Sequence, residues 1–192
     1  MIPFAKIISN IFSPVVVAPG AIAILVSQAG LPGTNRITIW IVVFFFASIV
    51  PVVTLMWLRH KGAITDLDVS QRDQRFIPLL IVLLSYGAAF IFVEWLQADN
   101  ITRGLVFCSL TNIIIISFIT RYWKISIHAF GLTSPLAALW VLWNAYAWPM
   151  ALLTALVGTS RVILKAHTPS QVVVGSVLGF TLTIIQLNLF FI

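Results

Sequence analysis

Acidic side chains are scarce in this chain. Asp and Glu together number 5 among 192 residues, and all charged residues make up 8%. So small a charged complement cannot clothe a soluble globule when 60% of the residues are hydrophobic and the mean hydropathy is +1.08. A single cysteine, Cys108, excludes an internal disulfide, and its place in an apolar run marks it as core. Three of the acids, Asp66, Asp68 and Asp73, crowd into one loop, while His60, His128 and His167 share no ligand spacing. No metal site and no cofactor are therefore expected. The alternating ten-residue segments of a membrane barrel are also missing, as are internal repeats and low-complexity tracts.

What remains is long apolar runs. A bilayer core of about 30 Å needs about 20 apolar residues per helix. Seven such stretches can be placed, at about 7–29, 37–58, 76–97, 102–120, 126–146, 148–161 and 169–191. They predict an all-α fold: a polytopic transmembrane helical bundle of six to seven spans, forming one integral membrane domain over 1–192. The first run, from Lys6, reads as a retained span because no small-x-small cleavage site precedes a soluble domain. The sixth is short, since Trp148-Pro149 follows directly on the fifth. Pro149 suits the first turn of a helix, and a tight turn near Asn144–Trp148 would make a hairpin.

The net charge of +6 and pI near 10.1 come from cations in short loops beside spans, which points to membrane orientation and away from a nucleic-acid partner. With alternating spans, Lys6, Arg59, Lys61, Arg72, Arg75, Arg121, Lys124, Arg161 and Lys165 share one face, and only Arg36 and Arg103 the other. The positive-inside rule then puts the crowded face and the N-terminus in the cytoplasm, as for a plasma (inner) membrane protein.

Three polar clusters reach that face: Arg72-Asp73-Gln74-Arg75, Lys124-Ile125-Ser126-Ile127-His128, and Ser160-Arg161 through His167 to Gln171. Arginine offers planar bidentate donors, lysine a mobile charge and serine a neutral donor, which together suit a phosphate. Phosphate binding alone needs no group that titrates near neutrality. Two histidines add that: one imidazole can attack phosphorus while the other protonates the leaving oxygen, with the cations stabilising the equatorial oxygens.

In these residues the chain resembles the type-2 phosphatidic acid phosphatase superfamily, the lipid phosphate phosphatase and haloperoxidase-like group, with motifs K-x6-R-P, P-S-G-H and S-R-x5-H-x3-D. Ser160-Arg161, five residues, His167, three residues and Gln171 follow the third motif, with Gln171 where the family has aspartate. Ser126-x-His128 follows the second, with Ile125 and Ile127 for its proline and glycine. For the first, Asp68 stands seven positions before Arg75 in place of lysine, and the proline is Pro78, a pattern that looks like divergent small bacterial or archaeal members. The likeness covers about 60–185 and leaves the first two spans unexplained.

The resemblance implies a membrane phosphatase acting on a lipid phosphomonoester or an isoprenoid or lipid diphosphate. His167 would be the nucleophile forming a phosphohistidine and His128 the acid that protonates the leaving group. Arg161, Ser160, Ser126 and Arg75 would hold the phosphate, with Arg72 or Lys124 for the missing lysine. Gln171, four residues after His167 on a helix, would share its face and accept its hydrogen bond without supplying charge. Plainer roles stand beside these. Arg161 and His167 could anchor an interfacial loop, Ser126 could cap the fifth helix, and Arg72 and Arg75 could flank a span. Gly175 and Gly179 read as a close helix contact. The rival functions are a catalytically degenerate lipid-phosphate binder, motivated by Gln171, and a small transporter using midplane polar groups such as Asn112, Asn144 and Gln186.

Overall fold

The computed structural model describes residues 1–28, 33–142 and 144–191, and among these the chain is all helical, with no strand. In order the helices are α1 (Ile2–Ile11), α2 (Pro14–Gln28), α3 (Gly33–Phe44), α4 (Val50–His60), α5 (Phe76–Trp95), α6 (Asn100–Tyr122), α7 (Ile127–Leu142), α8 (Asn144–Ile163) and α9 (Pro169–Phe190). Four helical segments are long and apolar enough to cross a membrane: 35–60, 72–95, 100–122 and 169–190. Large apolar side chains face outward along them, including Ile91, Phe118 and Leu189. Such a surface suits lipid, not water.

The runs expected as the first, fifth and sixth spans take other forms. The first is broken: α1 and α2 meet at a 45° bend, because Ser13 turns the chain and Pro14 opens a new helix. Counted as one span, the pair brings the number of candidates to five. The apolar helices 127–141 and 148–163 are shorter, at under 18 residues. Pro149 does not begin a helix, since α8 starts at Asn144 and places the proline in its second turn. There it removes one backbone hydrogen bond. The expected turn at 144–148 is therefore helical, and residue 143 lies outside the described residues.

Helices α7 and α9 form the tightest pair in the fold. A Cβ on Gly175 would lie 2.9 Å from the Ser126 carbonyl oxygen, and one on Gly179 would lie 2.5 Å from that of Phe130. Only hydrogen at these positions lets the backbones approach so closely, the contact expected from the four-residue spacing. Farther along, Asn112 of α6 donates to Thr183 Oγ1 at 3.0 Å and to Ser134 Oγ at 3.3 Å, and Gln186 donates to Asn112 Oδ1 at 3.1 Å. Thr111 donates to Gln186 in turn. Asn112 and Gln186, two of the groups that suggested a transport path, are thus spent on joining α6, α7 and α9. The side chain of Asn144 lies outside the described residues.

Candidate functional site

The end of α8 explains why five residues separate Arg161 from His167. Ala166 N–H donates to the Arg161 carbonyl at 3.0 Å and Lys165 N–H to that of Val162 at 2.9 Å, the paired bonds of a Schellman cap. Lys165 takes the left-handed position at φ 53°, and His167 N–H also reaches the Arg161 carbonyl at 3.3 Å. The chain thus reverses at once and returns His167 to the arginine it left.

The start of α9 then fixes the imidazole. Thr168 is the N-cap of a capping box: its Oγ1 accepts from Gln171 N–H at 3.3 Å, and its own N–H donates to Gln171 Oε1 at 3.2 Å. A backbone N–H can only donate, so the amide oxygen of Gln171 must be the atom facing it. That same oxygen lies 3.1 Å from His167 Nδ1. Nδ1 must therefore carry the proton, and Nε2 carries the lone pair. Burial pushes the His167 pKa down to about 3; Gln171 opposes the shift, and Arg75, Arg161 and Lys124 reinforce it. The ring is neutral at physiological pH.

Helix α7 is locked to this turn. Ser126 N–H donates to the Gln171 carbonyl at 3.2 Å, and Ser126 Oγ accepts from Ala129 N–H at 3.4 Å as the cap of α7. Its hydroxyl proton remains available to an acceptor. Two residues on, His128 is half-buried, with Nε2 shielded from solvent and without a hydrogen-bond partner. Arg75, only 3% exposed, donates through Nε to the Val69 carbonyl at 3.0 Å and through Nη1 to the Ile125 carbonyl at 3.1 Å. It staples the 61–75 loop to the entry of α7.

Arg161 is the largest fully buried side chain, at 2% exposure. Its Nη1 donates to Ser9 Oγ of α1 and to Asp68 Oδ2, both at 2.7 Å, while its Nε is buried without a partner. Burial raises the Asp68 pKa, but the Arg161 charge and hydrogen bond, helped by His128 and His167, outweigh it and hold the carboxyl below its ordinary value. Arginine, carboxylate and both imidazoles therefore form one electrostatic group. The Asp68 loop is held by Asp66, which accepts from Ser70 N–H at 3.2 Å, and it carries Val69 at φ 46°. A β-branched residue in that region is strained.

Of the residues singled out from sequence, His128, His167, Gln171, Arg161, Ser126, Arg75 and Lys124 come together. Lys124 lies in electrostatic reach of Arg75 and Arg161, and burial followed by these two cations lowers its pKa. Ser160 is buried beside them, but its hydroxyl donates to the Val157 carbonyl at 2.7 Å. Arg72 is exposed and engaged elsewhere, with Asp73 at 3.5 Å and the Tyr122 carbonyl at 3.2 Å. Sequence reasoning missed Ser9, whose only signal is a polar Ser9-Asn10 pair in an apolar helix. It also left Asp68 without a role, though the residue fills the lysine position of the first motif. Among the described residues no three His, Cys, Asp or Glu side chains are grouped to hold a metal ion.

A cavity of about 830 Å³ adjoins the group. Asp68, Arg75 and His128 are among its lining residues, as are Lys6, Arg59 and Ser134, and apolar side chains such as Leu55, Val82 and Ile113 line much of it. No protein-family model, curated protein or solved structure matches the chain.

Proposed function

We propose that this protein is a membrane-embedded phosphatase that hydrolyses a lipid phosphomonoester, or an isoprenoid or lipid diphosphate, through a phosphohistidine at His167. The observation that carries the reading is the capping box at the start of α9, which gives His167 a proton on Nδ1 and leaves Nε2 free to attack. In the first step Nε2 bonds to phosphorus and the ester P–O bond breaks, with a proton from His128 going to the leaving oxygen. In the second, His128 takes a proton from water, whose oxygen attacks phosphorus and releases phosphate from Nε2. Arg161, Lys124 and the Ser126 hydroxyl face the charge on the equatorial oxygens. Gln171 orients the ring but adds no charge to stabilise the phosphohistidine, which predicts slow turnover.

The cavity supports a lipid substrate, since its size is in the range of small-molecule pockets and much of its lining is apolar. In this reading α7 and α8 complete a bundle of six to seven spans in the plasma (inner) membrane. The polar face and the N-terminus are cytoplasmic, as the nine cations against two imply.

The test is phosphate release by the purified protein from a panel of lipid phosphates and diphosphates, beside His167→Ala. Loss of about a thousandfold or more in the variant is expected. Wild type no faster than His167→Ala would remove the enzyme reading. A second reading, a lipid-phosphate binder without turnover, is favoured by the pairing of Arg161 with Asp68. Saturable lipid-phosphate binding without release would establish it.

A further inference from the structure

Asp68 is an acid in a group otherwise rich in cations, and it touches Arg161, the most deeply buried of them. It lines the cavity, whereas Arg161 does not. With its side chain 38% exposed, against 2% for Arg161, and 2.7 Å from the guanidinium, the carboxylate separates the arginine from the cavity. The pairing is also incomplete. One carboxylate oxygen meets Nη1, while Nε of Arg161 and Nε2 of His128 remain buried without partners. Unpaired buried polar atoms of this kind are costly, and a carboxylate held by a single oxygen leaves them so. A tetrahedral oxyanion has more acceptor oxygens than the single one Asp68 presents to Arg161, enough to take Nη1 and still face the imidazoles.

The geometry points to Asp68 as a built-in stand-in for the substrate's phosphoryl group: its carboxylate occupies the anion seat at Arg161 and is displaced as a phosphate binds. This rests on Arg161 being the phosphate ligand. Asp68 thereby sets a threshold for entry. A ligand of weak anionic character leaves the pair intact, and one with several charged oxygens replaces it. The exchange also keeps the buried guanidinium compensated at every stage, which a vacant seat would not.

The experiment uses full-length protein in detergent with inorganic orthophosphate as the probe, comparing wild type, Asp68→Asn, Asp68→Glu and Arg161→Ala. Asp68→Asn should bind orthophosphate at least about tenfold more tightly than wild type, since a like charge within a few ångströms of the seat has been removed. Without phosphate it should melt at a lower temperature than wild type and recover more on phosphate addition, by ligand linkage. Asp68→Glu, which keeps the charge, should bind no more tightly than wild type. Arg161→Ala should abolish the phosphate response. Equal affinity of wild type and Asp68→Asn, with the response still dependent on Arg161, overturns the stand-in and leaves the phosphatase reading intact. No binding by any form, with no release from lipid phosphates, overturns both. Should Asp68→Asn fail to fold in plain buffer, orthophosphate must restore it, and failure to do so also overturns the proposal.

Discussion

The two halves of the site are built in opposite ways. The His167 half, from the end of α8 to the start of α9, is held by hydrogen bonds between near neighbours: Arg161 to Ala166, Thr168 to Gln171, His167 to Gln171. The anion half is assembled over distance, since Arg161 reaches Ser9 across 152 positions and Asp68 across 93. Local bonds form wherever the helix ends form, so the first half is set before any ligand arrives. The second depends on α1 and a strained, partly exposed loop keeping their places. The proposed phosphatase would need a fixed nucleophile and a seat that can be vacated, and these two constructions would serve one each.

The strongest challenge to the rigidity of the first half is Gly179→Val. Its Cβ would press on the Phe130 carbonyl 2.5 Å away, and a backbone atom in a helix has little room to yield. A loss of about 3 kcal/mol in unfolding free energy is expected, the upper end of ordinary overpacking costs. If unfolding in detergent shows no loss, the α7–α9 contact does not clamp the site.

The next prediction separates the halves by pH. His167 is held at about 3 in the fold against an ordinary 6.5, so between these values the unfolded chain binds the extra proton. Stability is complete above pH 6.5 and falls as pH drops through that window, by about 2 kcal/mol between pH 7 and 5. Asp68, held below 3.8, stays charged over the same interval and contributes nothing to the slope. Denaturant midpoints for wild type and His167→Gln should therefore diverge toward pH 7 and converge toward pH 5, and parallel curves would refute the assignment.

The smallest effect belongs to Lys165. Glycine removes the steric cost of φ 53°, so Lys165→Gly should stabilise the protein by up to about 1 kcal/mol with lipid-phosphate turnover unchanged. A destabilised variant would mean that the lysine side chain, and not the turn, holds the cap.

The same division decides what could be read from sequence. Helical class, apolar spans and the Gly175–Gly179 contact follow from hydropathy and four-residue spacing, both local properties. So does the relation of Gln171 to His167, which needs only one helical turn. Ser9 could not be foreseen, because a serine in an apolar helix says nothing of a partner 152 positions away. The break at Ser13-Pro14 was hidden by continuous hydrophobicity, and the helical start at Asn144 by the expectation that a proline begins a helix. Asp68 was visible as a departure from a motif, but its bond to Arg161 depends on how the 61–75 loop folds back over α8.

The seam between α7 and α9 also decides where traffic can pass. Two backbones in contact leave no gap for an acyl or isoprenoid chain, and among the described residues none from α8 or α9 lines the cavity. Its walls come from α1, α2, α4, α5, α6, α7 and the 61–75 loop. In the proposed phosphatase a lipid tail would therefore lie among α1, α2, α4, α5, α6 and α7, and the residues that choose its length and branching would sit mostly on the first five of these.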